Sequence, residues 1–147
     1  MHIQKIKVQD IQDSNCFATL CEENVHELRE GRSINIDWSV YAELEKTGNV
    51  FGLGMFVNGT LVGYSTCLTT QHPHYAHTKV CINDALYLLP EFRKGRFGLA
   101  LLKSTEDAAK ETGCTSMQWH AKPDSQLYKL LGLLKYTARD IIYEKDL

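Results

Sequence analysis

Between Arg93 and Leu102 the chain reads RKGRFGLALL, three cations and two glycines just before a run that turns apolar at helical spacing. The first turn of a helix presents unpaired N–H groups and a partial positive charge. A strand, turn and helix of this composition therefore make a ready phosphate site. Gly95 and Gly98 permit positive φ or close approach by a ligand, and Arg93, Lys94 and Arg96 add mobile charge at the mouth. Two phosphate motifs fail the test. No Lys-Ser or Lys-Thr follows a glycine at P-loop spacing, and a dinucleotide GxGxxG would need a third glycine beside Gly95 and Gly98. The plain alternative is a solvated basic loop whose glycines shape a turn.

The chain as a whole bounds what the anion can be. Its 147 residues, 44% hydrophobic and 23% charged, suit one globular domain over 1–147 with a sizeable core. A net charge of −2 gives no general attraction to nucleic acid or to an anionic membrane, so neither is expected as a partner and anion binding must be local. Apolar runs fall far below the ~20 residues of a membrane span. The opening MHIQKIKVQD carries no apolar stretch of secretory length, so the expected location is cytoplasmic. Five cysteines (Cys16, Cys21, Cys67, Cys81, Cys114) form no CxxC pair, and the odd count argues for reduced, packed thiols.

Periodicity outlines the elements around the loop. IQKIKVQD alternates as a first strand. Phe17, Leu20, Cys21, Val25 and Leu28 then share a helical face, with Ser14 as N-cap and Gly31 as stop. A second helix runs from Trp38 to about Lys46, capped by Asp37, and Asn58-Gly59 marks a hairpin inside VFGLGMFVNGTLVGYSTCLTT. KVCINDALYLL reads as a mostly buried strand stopped by Pro90. The helix after the basic loop extends to about Thr112 and is closed by Gly113. Its inner stripe is Leu101, Leu102, Thr105, Ala108 and Ala109, while Lys103, Glu106, Asp107 and Lys110 face water. SMQWHA is a short strand, SQLYKLLGLL a short helix and YTARDIIYEKDL a last strand. This order, β-α-α-β-β-β-α-β-α-β, implies an α/β fold with a mixed sheet and helices on both of its faces.

With these elements in place the chain resembles the GNAT superfamily of N-acetyltransferases. That family's pyrophosphate loop is [QR]-x-x-G-x-[GA] after a strand ending hydrophobic-x-hydrophobic-x-Pro. LYLLPEFRKGRFGLALL supplies Leu86, Leu88, Pro90, Arg93 and Gly98, and departs where Arg96 replaces the usual glycine and Gly95 comes one residue early. The R-x-G-R-x-G spelling itself is similar to phage-type members. LYKLLGLLKYTARDIIYEKDL matches the family's closing helix and strand at Leu127, Tyr128, Leu131 and Gly132, with Leu133 in place of phenylalanine. GTLVGY resembles the second-hairpin signature. The resemblance runs from about residue 50 to the end.

What the resemblance implies is a central twisted, mostly antiparallel sheet whose fourth and fifth strands splay apart to hold pantetheine. The backbone of Leu86, Tyr87 and Leu88 would pair with it. Lys94, Gly95, Arg96, Phe97, Gly98, Leu99 and Ala100, with Arg93 at the loop's start, would receive the pyrophosphate of acetyl-CoA. The expected activity is direct transfer of acetyl to a primary amine, a small molecule or a protein amine, in a ternary complex without a metal. Such transfer needs a positioned donor, a neutral amine and a proton for the thiolate. Tyr128 matches the family tyrosine near the sulfur, and a phenol with pKa about 10 is protonated at neutral pH. Two residues compete as base. Asp84 lies four residues before Leu88 and shares its face by strand alternation, and His120 ends the fifth strand beside the gap.

The acceptor pocket would come from the first two helices and the loop at 71–78. Glu22, Glu23, Glu27, Glu30 and Asp37 there either attract a cationic amine or form the wet face of a helix. QHPHYAH holds His72, His74 and His77 without a Cys or carboxylate to complete a ligand set, so it reads as a loop near the acceptor rather than a metal site. Cys81 and Cys114 have no neighbouring base in sequence to make either an acyl relay. Trp38, Tyr41 and Trp119 read as core or pocket wall. The competing expectation is a non-catalytic acyl-CoA-binding or regulatory domain on the same fold, which would not need Tyr128. A homodimer is left open.

Overall fold

Alternating residues at the start build β1 (His2–Ile6), which is shorter than its pattern suggested. Val8–Ile11 instead forms a 3-10 turn. Two carboxylates capture its amides: Lys7 N donates to Asp10 Oδ2 at 3.1 Å and Val8 N to Glu45 Oε1 at 2.7 Å, which lets Val8 and Ile11 both bury. The computed structural model describes residues 1–27, 34–143 and 145. Within them α1 (Asn15–Glu27) starts where Ser14 Oγ accepts from Phe17 N at 3.2 Å. Leu28, Gly31 and Glu30, expected as face, stop and acidic candidate, lie outside the described residues, as do the side chains of Val25 and Glu27.

Asp37 caps α2 (Trp38–Lys46) by accepting from Ser39 N at 3.0 Å. β2 (Val50–Val57) and β3 (Thr60–Gln71) join through Asn58 and Gly59, both at positive φ (52° and 81°), the twist a two-residue hairpin needs. β4 (Lys79–Leu88) follows, then a 3-10 turn over Pro90–Phe92 and α3 (Phe97–Glu111). The predicted stripe Leu101, Leu102, Thr105, Ala108 and Ala109 is the buried set of α3. Leu101 and Leu102 are wholly buried, each worth about 1.5–3 kcal/mol. Glu106 departs from the expected wet face. It is half-buried and accepts from Trp119 Nε1 at 3.2 Å and from the Tyr136 hydroxyl.

β5 is only Ser116–Gln118, and α4 (Gln126–Leu133) is capped by Ser125 Oγ accepting from Tyr128 N at 3.1 Å. The sheet runs β1-β2-β3-β4-β5. Its first three pairings are antiparallel, and β4 pairs β5 in parallel over Val80–Ile82 only. Beyond that ladder the two strands part, so among the described residues Asn83–Leu88 has no strand on its β5 side. The last strand expected from YTARDIIYEKDL does not form among the described residues, where 136–143 carries no strand. Its Ile141-Ile142-Tyr143 run breaks the alternation a strand needs, and the three side chains are exposed.

Gly63 explains how tightly β3 and β4 pack. A Cβ there would meet a Leu88 methyl at 2.3 Å and the Tyr87 carbonyl at 2.8 Å. Among the described residues no helix is long and apolar enough to cross a membrane.

Candidate active site

The β3–β4 register breaks at one point. Thr66 pairs Ala85 but Cys67 pairs Asn83, which leaves Asp84 as the extra residue of a bulge on β4. Opposed residues of a pair share a face, so Thr66 and Ala85 sit on one face and Gly63 and Leu88 on the other. Strand alternation had put Asp84 on Leu88's face, and the bulge overturns this. Asp84 points with Thr66 toward α2, whereas Leu88 packs at the α3 side, where Gly98 is its neighbour. The buried Asn83 stabilises the irregular backbone by donating from Nδ2 to the Ala85 carbonyl at 3.0 Å.

The Asp84 carboxylate is fixed through its Oδ2, which accepts from the Tyr41 hydroxyl at 2.6 Å and from Thr66 Oγ1 at 2.9 Å. Burial, and the carboxylate beside it, push the Tyr41 phenol up, so it stays a donor across the neutral and mildly alkaline range. Asp84 opens into a cavity of about 320 Å³ between α1, α2, β3 and β4, with His120 and Leu127 at its β5 end. Both residues considered as bases therefore line one space. Trp38 and Tyr41 belong to its wall, as expected, but Trp119 is absent from the lining and the loop at 71–78 contributes nothing to it. In that loop His72 Nδ1 accepts from His74 N at 3.2 Å. Among the described residues no group of three His, Cys, Asp or Glu side chains converges as metal ligands.

On the other side of β4 lies the basic loop. Gly95 takes φ 81°, and Arg96 occupies the N-cap of α3 with its side chain exposed. Among the described residues the amides of Lys94 to Leu99 donate to no backbone carbonyl, a row of open donors at a helix start. Ala100 departs from the sequence expectation, because its amide closes the first helical bond to the Arg96 carbonyl at 2.9 Å. Arg93 turns back from the loop. Its Nε donates to the Leu88 carbonyl at 2.9 Å, its terminal nitrogen meets Glu23, and its guanidinium lies 5.3 Å above the Tyr87 ring.

Tyr87 donates its hydroxyl to the same Glu23 Oε2 at 2.8 Å. Burial alone would raise the Glu23 carboxyl, but these two donors and the Arg93 charge hold it below the usual range. Two carboxylates expected near an acceptor are thus engaged in the fold, Glu23 here and Asp37 at its cap.

Tyr128 sits on the first turn of α4, 51% exposed and outside the cavity lining, while its neighbour Leu127 reaches into it. Cys81 is fully buried, and its thiol is pushed up by donating to Cys67 and by burial, the opposite of a nucleophile's state. Sequence reasoning missed Thr66, and it placed Phe17 on the inner face of α1 and Glu23 among the acidic residues without their partners. The Asn58-Gly59 hairpin sets Thr66 against Gly52 on β2, and the pairing of Thr66 with β4 is set across the separate 72–78 connection, which carries no register signal in the sequence.

The fold is shared with solved acetyltransferases. A ribosomal-protein-alanine N-acetyltransferase from Brucella melitensis biovar Abortus 2308 superposes with a TM-score of 0.74 at 20% identity, covering 99% of this chain and 98% of that one. An aminoglycoside acetyltransferase, meta-AAC0020, from an uncultured soil metagenomic sample, in complex with sisomicin, gives 0.73 at 17% identity, covering 99% and 94%. AAC(6')-Iy, bound to a bisubstrate analogue of CoA and acetylneamine, gives 0.70 at 14%, covering 99% and 98%. None of the curated proteins matches the sequence significantly. The sequence does match the Acetyltransferase (GNAT) family over residues 10–133, and with this sheet, this splay and this loop the chain belongs to that family.

Proposed function

We propose that this chain, read as a single domain, transfers the acetyl group of acetyl-CoA directly to a primary amine. One arrangement carries the reading. β4 has an open edge and a loop of unpaired amides toward one side, and on its other side the bulged Asp84 faces a cavity. A donor and an acceptor can therefore approach the same strand from opposite faces and meet at the splay.

Acetyl-CoA supplies an activated thioester carbonyl. The amides of Lys94–Leu99 hold its pyrophosphate, with the exposed Lys94 and Arg96 adding charge. The backbone of Leu86, Tyr87 and Leu88 lies along the gap for the pantetheine arm. Asp84 holds the substrate ammonium and takes its proton, leaving a neutral amine to form the new C–N bond. His120, in the same cavity, contacts the acceptor. As the C–S bond breaks, the Tyr128 hydroxyl gives its proton to the leaving sulfur, and the second proton shed by the acetylated nitrogen returns through water to the tyrosinate. Holding both substrates removes most of the entropic part of the barrier.

Calorimetric titration with acetyl-CoA, with ATP as control anion, tests the donor side. Saturable binding of acetyl-CoA without comparable binding of ATP is expected. Failure of acetyl-CoA to bind at moderate salt would end the assignment.

A further inference from the structure

Given acetyl transfer as proposed, the cavity beside Asp84 narrows the acceptor to one kind of amine. Among the described residues the lining contains one carboxylate, Asp84. Of the acidic candidates on this side, Glu23 is paired with Arg93 and Tyr87, Asp37 caps α2, and Glu22 is exposed and does not line the cavity. The lining also includes apolar and aromatic side chains, Phe17, Leu20, Ile34, Ile36 and Trp38. Phe17 and Trp38 meet edge to face at 5.3 Å between ring centroids, and Trp38 lies 6.0 Å from the Tyr41 ring. A cavity with one anion and an aromatic wall favours a ligand with one cation and an apolar body. A second ammonium would be desolvated there without a partner, and a hydroxylated body would lose its water against Ile34 and Ile36.

We propose that the acceptor is a primary monoamine with an aryl or branched-alkyl body, its ammonium on Asp84 and its body against the Phe17–Trp38 wall. This rests on the acetyl-transfer reading. The ammonium can also sit near the aromatic faces, which adds cation–π attraction. Among the described residues the lining offers a second ammonium no carboxylate besides Asp84, which disfavours polycationic amines.

Three amines separate the terms: 2-phenylethylamine, ethanolamine with the same charge but a polar body, and spermidine with several charges. Acetyl transfer should favour 2-phenylethylamine in kcat/KM by about tenfold or more, the usual worth of a filled apolar pocket. Binding is read separately in a Trp119→Phe background, where Trp38 is the one tryptophan left. There 2-phenylethylamine should change the fluorescence saturably without acetyl-CoA, and ethanolamine should not. Trp38→Leu should raise KM for 2-phenylethylamine while leaving the acetyl-CoA isotherm intact, which also shows that the variant is folded.

Preference for spermidine or ethanolamine overturns the proposal. So does acetyl-CoA binding with no acetylation of 2-phenylethylamine, a result that leaves the donor assignment standing. Loss of acetyl-CoA binding in the wild-type protein would remove the underlying reading and this proposal together.

Discussion

Glu23 on α1 and Arg93 at the mouth of the basic loop form an ion pair between residues 70 positions apart in the chain. Both side chains are about a quarter exposed, 25% and 24%, so the pair is screened only in part. Arg93 also donates to the Leu88 carbonyl at the end of β4. The helix on the acceptor side, the strand end and the loop are thereby tied at one point. In the family motif this arginine opens the anion-binding loop. Here its charge is directed inward, and in the proposed function the open amides would meet the pyrophosphate.

Replacing Glu23 should therefore weaken the fold and the loop together. Glu23→Ala leaves the Tyr87 hydroxyl and Arg93 without their shared acceptor, a loss of about 1–3 kcal/mol in urea unfolding. The carboxyl is held below its ordinary value of 4.5 in the folded state, so its contribution is fully present above that value. It disappears as pH falls through the lower folded value. The stability gap between wild type and variant should accordingly be widest at neutral pH and close in acid. A gap that does not change with pH would mean that the pair is not ionised as described.

Close packing gives a second test, in which two glycines should behave oppositely. Gly63→Ala places a methyl 2.3 Å from a Leu88 side-chain atom and 2.8 Å from the Tyr87 carbonyl. The strands must separate at about 1–3 kcal/mol, lowering the midpoint of thermal unfolding by several degrees. Gly98→Ala meets only Leu88, at 3.7 Å, an ordinary contact. On the first turn of α3 it should be neutral or stabilise by up to about 1 kcal/mol.

The α3 stripe was legible in the sequence because helical burial depends on a period within one segment, and the hairpin because its turn chemistry is local. The position of Asp84 was not, since a bulge is a property of two strands in register, and alternation on one strand assigns the wrong face. The Glu23–Arg93 pair was not legible either, because nothing local to either residue encodes a partner so distant in sequence. The last strand failed for a related reason. Its β-rich composition needs a partner edge, and β5 is three residues long. Tyr136 is drawn instead to Glu106 on α3, its phenol pushed up to about 12 by burial and by that carboxylate.

Restoring the family's spelling at Arg96 probes what the loop uses. Arg96 contributes an N-cap backbone to α3 while its side chain is exposed. Arg96→Gly should therefore change acetyl-CoA affinity by less than about fivefold, the worth of one exposed charge, and the difference should shrink in salt. A large gain in affinity would show that the side chain obstructs the amides. A large loss would show that it carries the phosphate contact itself.

The two proton carriers proposed for the reaction should fail in different ways. Asp84→Asn keeps a group of the same shape beside Tyr41 and Thr66 but cannot take the ammonium's proton. Release of free CoA thiol should fall by about a hundredfold or more, and acetyl-CoA binding should persist. Tyr128→Phe removes only a hydroxyl from a side chain that is 51% exposed and whose backbone, not its ring, bonds Ser125, so stability should not change. Its kcat should drop by about ten- to a hundredfold with KM for the amine little altered, the pattern of an interaction made only as the thiolate leaves. The loss should be smaller with an acyl donor whose thiol leaves more easily, because a better leaving group needs less protonation. Equal losses for both donors would remove Tyr128 from that step and leave the sulfur to be protonated by solvent at the open side of the splay.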